Sequence, residues 1–181
     1  MKLKERDELV SVALSNGNQN ILLVTKHGMS IRFSEKDIRE AKRYTSGVQC
    51  ISLSDNDVVI GMATITDDSD ILVISENGMG KRTTLEEYKL QSRNGKGRST
   101  YRVAQKTGPL VGITLINDKK NVLIISDSGK IICIAASEIP ILSLETSGVT
   151  LMRTRDDKVI GTSVIRHIEE GKEQANDFNE A

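Results

Sequence analysis

Short aliphatic runs that end in a glycine recur three times along the chain. The runs at residues 21–28, 71–78 and 122–129 align without gaps, and their glycines are 50 and 51 residues apart. An apolar or aromatic residue stands ten positions after each of these glycines. A second glycine stands nineteen positions after the first, and a third glycine stands 13 to 15 positions after the second. These landmarks are Ile38, Tyr88 and Ile139, then Gly47, Gly97 and Gly148, then Gly61, Gly112 and Gly161. Several landmarks in one register indicate an internal repeat.

Each repeat has the pattern of four short strands. Two runs of β-branched and aliphatic residues around a glycine predict a hairpin in which the glycine supplies a positive φ. The predicted hairpins pair residues 21–25 with 29–33, 71–75 with 79–83, and 122–126 with 130–134. Third strands are predicted at 48–53, 99–103 and 149–154, and fourth strands at 58–65, 110–116 and 159–165. A longer connection separates the second and third strands, with a short helical turn predicted at 35–37 and at 85–87.

The repeat predicts an all-β, propeller-like fold. Units of four short strands at a period of about fifty residues are typical of propeller blades. We therefore predict an N-terminal segment at 1–19, blades at 20–69, 70–120 and 121–165, and a tail at 166–181. Residues 9–14 match a fourth strand, but no matching first three strands precede them. Because propellers usually close with about four to eight blades, three blades predict a partial disc that further blades or self-association would complete.

Several classes of protein are disfavoured by the rest of the sequence. The tail at 166–181 is polar and acidic and is predicted to be disordered. No signal peptide or membrane span is apparent, so a soluble, cytoplasmic protein without a membrane partner is expected. Cys50 and Cys133 are predicted to be buried, reduced thiols, because neither has metal-ligand spacing. His27 and His167 are predicted to lie at the surface, because neither has a partner for catalysis or metal binding. No metal and no cofactor is expected.

Charge is unevenly distributed although the chain has 25 basic and 25 acidic residues. Residues 70–116 contain 8 basic and 4 acidic side chains, whereas residues 166–181 contain 2 basic and 5 acidic ones. Clustered cations are what phosphate neutralisation requires, because affinity follows the number of phosphates contacted. The aromatic share of 3%, without Trp, argues against stacking of single-stranded bases. Duplex and protein ligands remain open.

One loop of the middle repeat concentrates this chemistry. It reads Gln91-Ser92-Arg93-Asn94-Gly95-Lys96-Gly97, with two cations and two glycines in seven residues. Glycines let backbone N–H groups approach an anion closely. The same composition is also typical of an ordinary solvated loop whose glycines supply turn geometry. Composition alone leaves both interpretations open.

This loop resembles the Gln-Arg-Arg-Gly-Gly-Lys-Gly box found in the C-terminal domain of DNA gyrase A and of its topoisomerase IV relative. Residues 25–33 and 80–84 are similar to other blade segments of that family, and the resemblance extends from about residue 9 to residue 165. It implies a six-bladed β-pinwheel with strands exchanged between blades, of which this chain resembles the last three blades and the tail. The basic perimeter of the family's pinwheel wraps duplex DNA and supports the supercoiling that ATP drives at the B subunit.

The resemblance implies sequence-independent binding and bending of duplex DNA along a blade rim. The remainder of gyrase A and, through it, the B subunit would be the other partners, and no residue of this chain is expected to be catalytic. Ser92 replaces an arginine of the box and Asn94 replaces a glycine, which should weaken phosphate contact. The alternative is a protein-interaction module whose surface charge is incidental. The predicted DNA-binding residues are Lys81, Arg82, Arg93, Lys96, Arg98, Arg102, Lys26, Arg32, Lys42 and Arg43.

Overall fold

The chain folds into three small antiparallel sheets joined by loops and single turns of 3-10 helix. The computed structural model describes Leu3, Glu5 and residues 7–42, 44–66 and 68–166. Three 3-10 turns, at Glu35–Asp37, Leu85–Glu87 and Ala136–Glu138, follow the hairpins, and the two predicted turns are confirmed. The strands are β1 (Asn20–Thr25), β2 (Met29–Ser34), β3 (Val59–Thr64), β4 (Asp70–Ser75), β5 (Met79–Thr83), β6 (Arg98–Ser99), β7 (Leu110–Ile116), β8 (Lys120–Ser126), β9 (Ile131–Ala135), β10 (Val149–Thr150) and β11 (Val159–Arg166).

Each of the second and third repeats contributes one strand to the sheet of the preceding repeat. The first sheet has the order β3-β1-β2-β6, the second β10-β5-β4-β7 and the third β11-β8-β9. The hairpin and the fourth strand of a repeat stay together, whereas the third strand crosses over: β6 pairs with β2, and β10 pairs with β5. The predicted all-β pinwheel fold is confirmed, and the third sheet has three strands among the described residues.

Apolar side chains fill the space between neighbouring sheets. Leu22 and Val24 of β1 are fully buried in one cluster with Ile71 and Val73 of β4. A second cluster joins β4 to β8 in the same way, through Leu72, Ile74, Val122 and Ile124. Fully burying an aliphatic side chain contributes about 1.5–3 kcal/mol. Packing between repeats therefore supplies much of the stability, and the exchanged strands join sheets that already share a core.

The third and the orphan strands depart most from prediction. Residues 9–14 and 48–53 form no strand, because neither segment has a hairpin beside it to pair with among the described residues. β6 and β10 have two residues each, shorter than predicted, because the chain turns directly after them: the N–H groups of Thr100 and Tyr101 both donate to the Gly28 carbonyl. Cys50 is partly buried but Cys133 is exposed, so the burial predicted for both thiols is wrong for Cys133. Arg43 and residues 167–181 lie outside the described residues. No helix within the described part of the chain is long and apolar enough to cross a membrane.

Candidate nucleic-acid interface

The loop at 91–97 belongs to the second repeat but lies against the first sheet. It enters beside β2, where the Gln91 N–H donates to the Arg32 carbonyl at 2.8 Å. It leaves through β6, in which Arg98 is paired with Ser30 of β2. Between these points the Asn94 N–H donates to the Cys50 carbonyl at 2.8 Å. Backbone hydrogen bonds therefore hold the loop on both sides.

Asn94 and Gly97 adopt backbone conformations that few residues tolerate. Gly97 has a φ of +76°, and a Cβ atom there would lie closer than 3.0 Å to the Ser30 carbonyl oxygen. Asn94 has a φ of +69°. Asparagine is one of the non-glycine residues that enter this left-handed region most readily. Asn94 thus preserves the backbone that a glycine would adopt, so this departure from the box is milder than the sequence suggested.

Arg93 reaches across to the first repeat. Its Nε–H donates to the Asp37 carbonyl at 3.3 Å, and its Nη1 donates to the Gln49 carbonyl. These bonds fix the orientation of a half-buried guanidinium, which has five donors in a planar fork. The side chain therefore carries a positioned charge at the junction of two repeats.

The remaining cations of this segment point to solvent. Lys96, Arg98 and Arg102 are exposed. The Arg102 N–H donates to the Thr146 carbonyl at 3.3 Å, which anchors its backbone to the third repeat. Lys26 is exposed on the β1–β2 turn, beside the Gly28 carbonyl to which the backbone at residues 100 and 101 donates. Lys26 therefore lies near the backbone that leads from residue 100 to Arg102.

A groove beside the loop extends the positive surface. It is lined by Arg39, Glu40 and Lys42 together with Val48 and Cys50. Burial raises the pKa of the Cys50 thiol, and the nearby charge of Arg93 partly opposes the effect. Lys42 lines this groove, and Arg93 bonds the carbonyl of Gln49, which lies between two of its lining residues in sequence. Arg43, the other cation predicted here, is outside the described residues.

Lys81 lies in the interior, contrary to its predicted place on the rim. The side chain is fully buried, and its Nζ donates to the carbonyls of Ser143 at 2.5 Å and Leu144 at 2.6 Å. A third bond, of 3.3 Å, reaches the Thr146 hydroxyl oxygen. Burial lowers the pKa of the ammonium to about 8, an effect that Glu87 partly opposes. Lys81 ties the second hairpin to the third repeat and is not available to a phosphate.

Arg82 and Arg32 are likewise engaged within the fold. Arg82 is 7% exposed, and its guanidinium bonds Asp70 and Asp118 at 2.5 Å each. The Arg32 Nη1 donates to the Leu85 carbonyl at 3.3 Å and the Tyr88 carbonyl at 3.0 Å. Both guanidiniums join one repeat to another segment of the chain. They contribute to the fold, and the rim contact predicted for them is not supported.

The repeat itself contained signals that the sequence reasoning missed. The position of Lys81 is occupied by Ile31 and Ile132 in the other two repeats, and Ile31 is fully buried. Glu145 stands in the third repeat where Asn94 stands in the second. It lines a cleft with Glu87 and Arg98, so two carboxylates lie beside the positive segment. Comparing equivalent positions would have identified both features.

Comparisons with known proteins identify the family. The sequence profile described as "DNA gyrase C-terminal domain, beta-propeller" matches residues 1–16, 19–66, 69–117 and 120–166. The chain belongs to this family. It is 37% identical over 164 residues to the DNA gyrase A protein of Staphylococcus epidermidis, a match that covers 90% of this chain and 18% of that protein. It is 34% identical over 182 residues to the DNA gyrase A protein of Staphylococcus aureus strain MRSA252, covering 99% of this chain and 20% of that protein. The chain thus spans about a fifth of the length of these relatives.

Solved structures of the same family have the same fold. The C-terminal domain of DNA topoisomerase IV superposes with a TM-score of 0.86 at 21% identity, over 91% of this chain and 52% of that one. The DNA gyrase A C-terminal domain superposes with a TM-score of 0.85 at 22% identity, over 93% of this chain and 57% of that one. The chain therefore corresponds to about half of each solved domain.

Proposed function

We propose that the chain binds and bends duplex DNA through its phosphate backbone, without sequence preference, as a non-catalytic part of a type IIA topoisomerase. The observation that carries the proposal is the segment at 91–102. It contains four cationic side chains and no acidic one, and backbone hydrogen bonds fix it to the first sheet and to the third repeat. Lys26 and Lys42 extend the surface. The proposed protein partners are the remainder of gyrase A and, through it, the B subunit.

Phosphate contact suits this surface better than base readout. Arg93, Lys96, Arg98 and Arg102 are distributed over a loop and a two-residue strand, whereas base readout uses a helix or a longer ribbon that enters a groove. Bending a site of 20–30 base pairs costs on the order of 1–6 kcal/mol, which several phosphate contacts must offset. A surface with so few cations predicts weak binding that depends strongly on salt.

The salt dependence of binding tests the proposal. If the four cations of the segment each neutralise one phosphate, log K against log[salt] should have a slope of about −3.6. Changing Arg93 and Lys96 together to alanine should reduce the slope to about −1.8 and weaken binding to all duplex sequences alike. Fluorescence anisotropy with two unrelated duplexes across a salt series provides the measurement.

A matched control variant distinguishes the loss of specific DNA contacts from a general loss of positive charge. Lys130 and Lys158 are exposed in the third repeat, outside the proposed contact surface, and Lys158 pairs with Glu76 at 3.2 Å. Changing both to alanine removes the same net charge as the Arg93 and Lys96 pair and should leave the slope almost unchanged. A slope near zero for the unmodified chain, or equal effects of the two double variants, would contradict the proposal. If the chain then still bound a protein partner in the absence of DNA, the alternative function as a protein-interaction module would be favoured.

A further inference from the structure

We propose that the loop at 142–148 of the third repeat ends the DNA contact surface, so that a bound duplex runs from residues 91–102 towards the first repeat and not onto the third. The inference rests on the proposed function, because it concerns where the same DNA leaves the protein. Phosphate contacts fix the position and orientation of a protein on a duplex. The charges of this loop therefore set the direction in which the DNA runs.

The loop at 142–148 is held in the same way as the loop at 91–97. The Leu142 N–H donates to the Arg82 carbonyl of β5 at 2.8 Å, and the equivalent bond holds the start of the second-repeat loop beside β2. Gly148 has a φ of +73°, within a few degrees of the equivalent glycine in that loop. The third repeat therefore provides the backbone of a contact loop, and only its side chains decide whether DNA binds there.

The side chains on this backbone carry no net charge. The segment at 91–102 has four cations and no carboxylate, whereas the equivalent segment at 142–153 has one of each, Arg153 and Glu145. The equivalent segment of the first repeat, 41–52, has two cations and no carboxylate. The net charge of the segment therefore falls to zero towards the third repeat but stays positive towards the first.

Two carboxylates beside the basic segment remain available to repel a phosphate. Glu145 is exposed, and it lines one cleft with Glu87 of the second repeat and Arg98 of β6. Within the part of the chain that the structure describes, no ion pair joins Arg98 to either carboxylate. Like charges that face each other across an interface oppose binding. A duplex that continued past Arg98 onto the third repeat would bring its phosphates against both carboxylates.

Arg153 is the residue of the third repeat that matches Arg102 in position and in backbone geometry. Both arginines are exposed. The N–H groups of Leu151 and Met152 donate to the Gly78 carbonyl, as those of residues 100 and 101 donate to the carbonyl of the equivalent hairpin glycine in the first repeat. Because the two sites share this geometry, a difference between the arginines in DNA binding reflects the charges around them and not a different backbone.

Alanine variants of the two equivalent arginines test the direction of the DNA. Fluorescence anisotropy with a duplex of about 30 base pairs, across a salt series, gives the slope of log K against log[salt]. Arg102→Ala should reduce the slope from about −3.6 to about −2.7, because one phosphate contact is lost, and Arg153→Ala should leave it at about −3.6. Equal reductions would show that the DNA continues onto the third repeat and would overturn the inference alone. A slope near zero for the unmodified chain would contradict the proposed function as well.

Reversing the charge of the loop should open the path onto the third repeat. In Glu145→Lys, the new ammonium and Arg153 should each neutralise one further phosphate, which steepens the slope to about −5.4. Adding Arg153→Ala to this variant should return the slope to about −4.5, although the same change has no effect in the unmodified chain. Such a difference between the two backgrounds assigns control to the loop, because a general gain of positive charge would not make Arg153 a contact.

Glu138→Lys is the matched control for the charge reversal. Glu138 is exposed and lies in the same repeat as Glu145, so the change in net charge is the same. It holds the position in the third repeat that Glu87 holds in the second, and it therefore lies one repeat further from the basic segment. Its slope should stay at about −3.6. Equal slopes for Glu138→Lys and Glu145→Lys would refute the inference, as would Arg153→Ala without effect in the Glu145→Lys background.

Discussion

Replacing Lys81 with methionine is expected to lower the free energy of unfolding by about 1–3 kcal/mol. Methionine is apolar and of similar length, so it fills the space and removes the cost of burying a charge. It cannot donate to the carbonyls of Ser143 and Leu144, the acceptors of the 2.5 and 2.6 Å bonds. The Ser143 carbonyl keeps the Thr146 hydroxyl as a donor at 3.0 Å, whereas the buried Leu144 carbonyl loses its Lys81 donor. A buried carbonyl left without a donor costs about 1–3 kcal/mol. Denaturant titration followed by circular dichroism measures the change.

Lys89→Met provides the matched control for this substitution. Lys89 lies in the same repeat and is exposed. Substitutions of such surface residues usually change stability by less than about 0.5 kcal/mol. Similar losses for Lys81→Met and Lys89→Met would contradict the structural role assigned to Lys81.

The same ammonium should make stability depend on pH in an unusual direction. Burial lowers the pKa of Lys81 to about 8 from an ordinary value of 10.5. Between these values the native state binds fewer protons than the unfolded state, so the free energy of unfolding rises with pH. We expect a gain of up to about 3 kcal/mol between pH 8 and 10.5, relative to Lys81→Met. Parallel pH profiles of stability for the two proteins would show that the pKa of the Lys81 ammonium is not lowered.

Local chemistry explains why the hairpins could be predicted from the sequence. The apolar runs on both sides of Gly28, Gly78 and Gly129 lie within about a dozen neighbouring residues, so each hairpin is encoded locally. Strands β1, β4 and β8 accordingly start within two residues of their predicted positions. Residues 48–53 hold the same position in the repeat as the segments that contain β6 and β10 but form no strand. Strand formation there depends on a hairpin supplied by another repeat, which no local pattern encodes.

The basic surface was predictable only where cations are exposed. Lys96, Arg98 and Arg102 lie on loop and edge positions, and the structure finds them at the surface. Arg82 is different, because its partners Asp70 and Asp118 are 12 and 36 residues away in sequence. A cation and its partners that are distant in sequence meet only through packing. Counting charges along the chain therefore overestimates the number of side chains that can reach a ligand.

Replacing Gly97 with alanine is expected to cost about 3 kcal/mol of the free energy of unfolding, through two separate effects. A left-handed backbone costs an alanine about 1–2 kcal/mol relative to glycine. In addition, the new Cβ would lie closer than 3.0 Å to the Ser30 carbonyl oxygen, a backbone atom of β2 that cannot rotate away. To relieve this close contact, β6 must move away from β2, and this movement weakens the pairing of Arg98 with Ser30. Thermal and denaturant unfolding provide the measurement.

Gly17→Ala separates the two effects, because Gly17 has a φ of +87° and no described atom within 4 Å of its Cβ position. It should cost only the conformational part, about 1–2 kcal/mol. The difference between the two variants then reports the close approach of β6 to β2. It should be accompanied by faster amide hydrogen exchange at Thr100 and Tyr101, whose N–H groups donate to the Gly28 carbonyl. Equal losses with unchanged exchange would mean that the crossing strand contributes little to holding the first two repeats together.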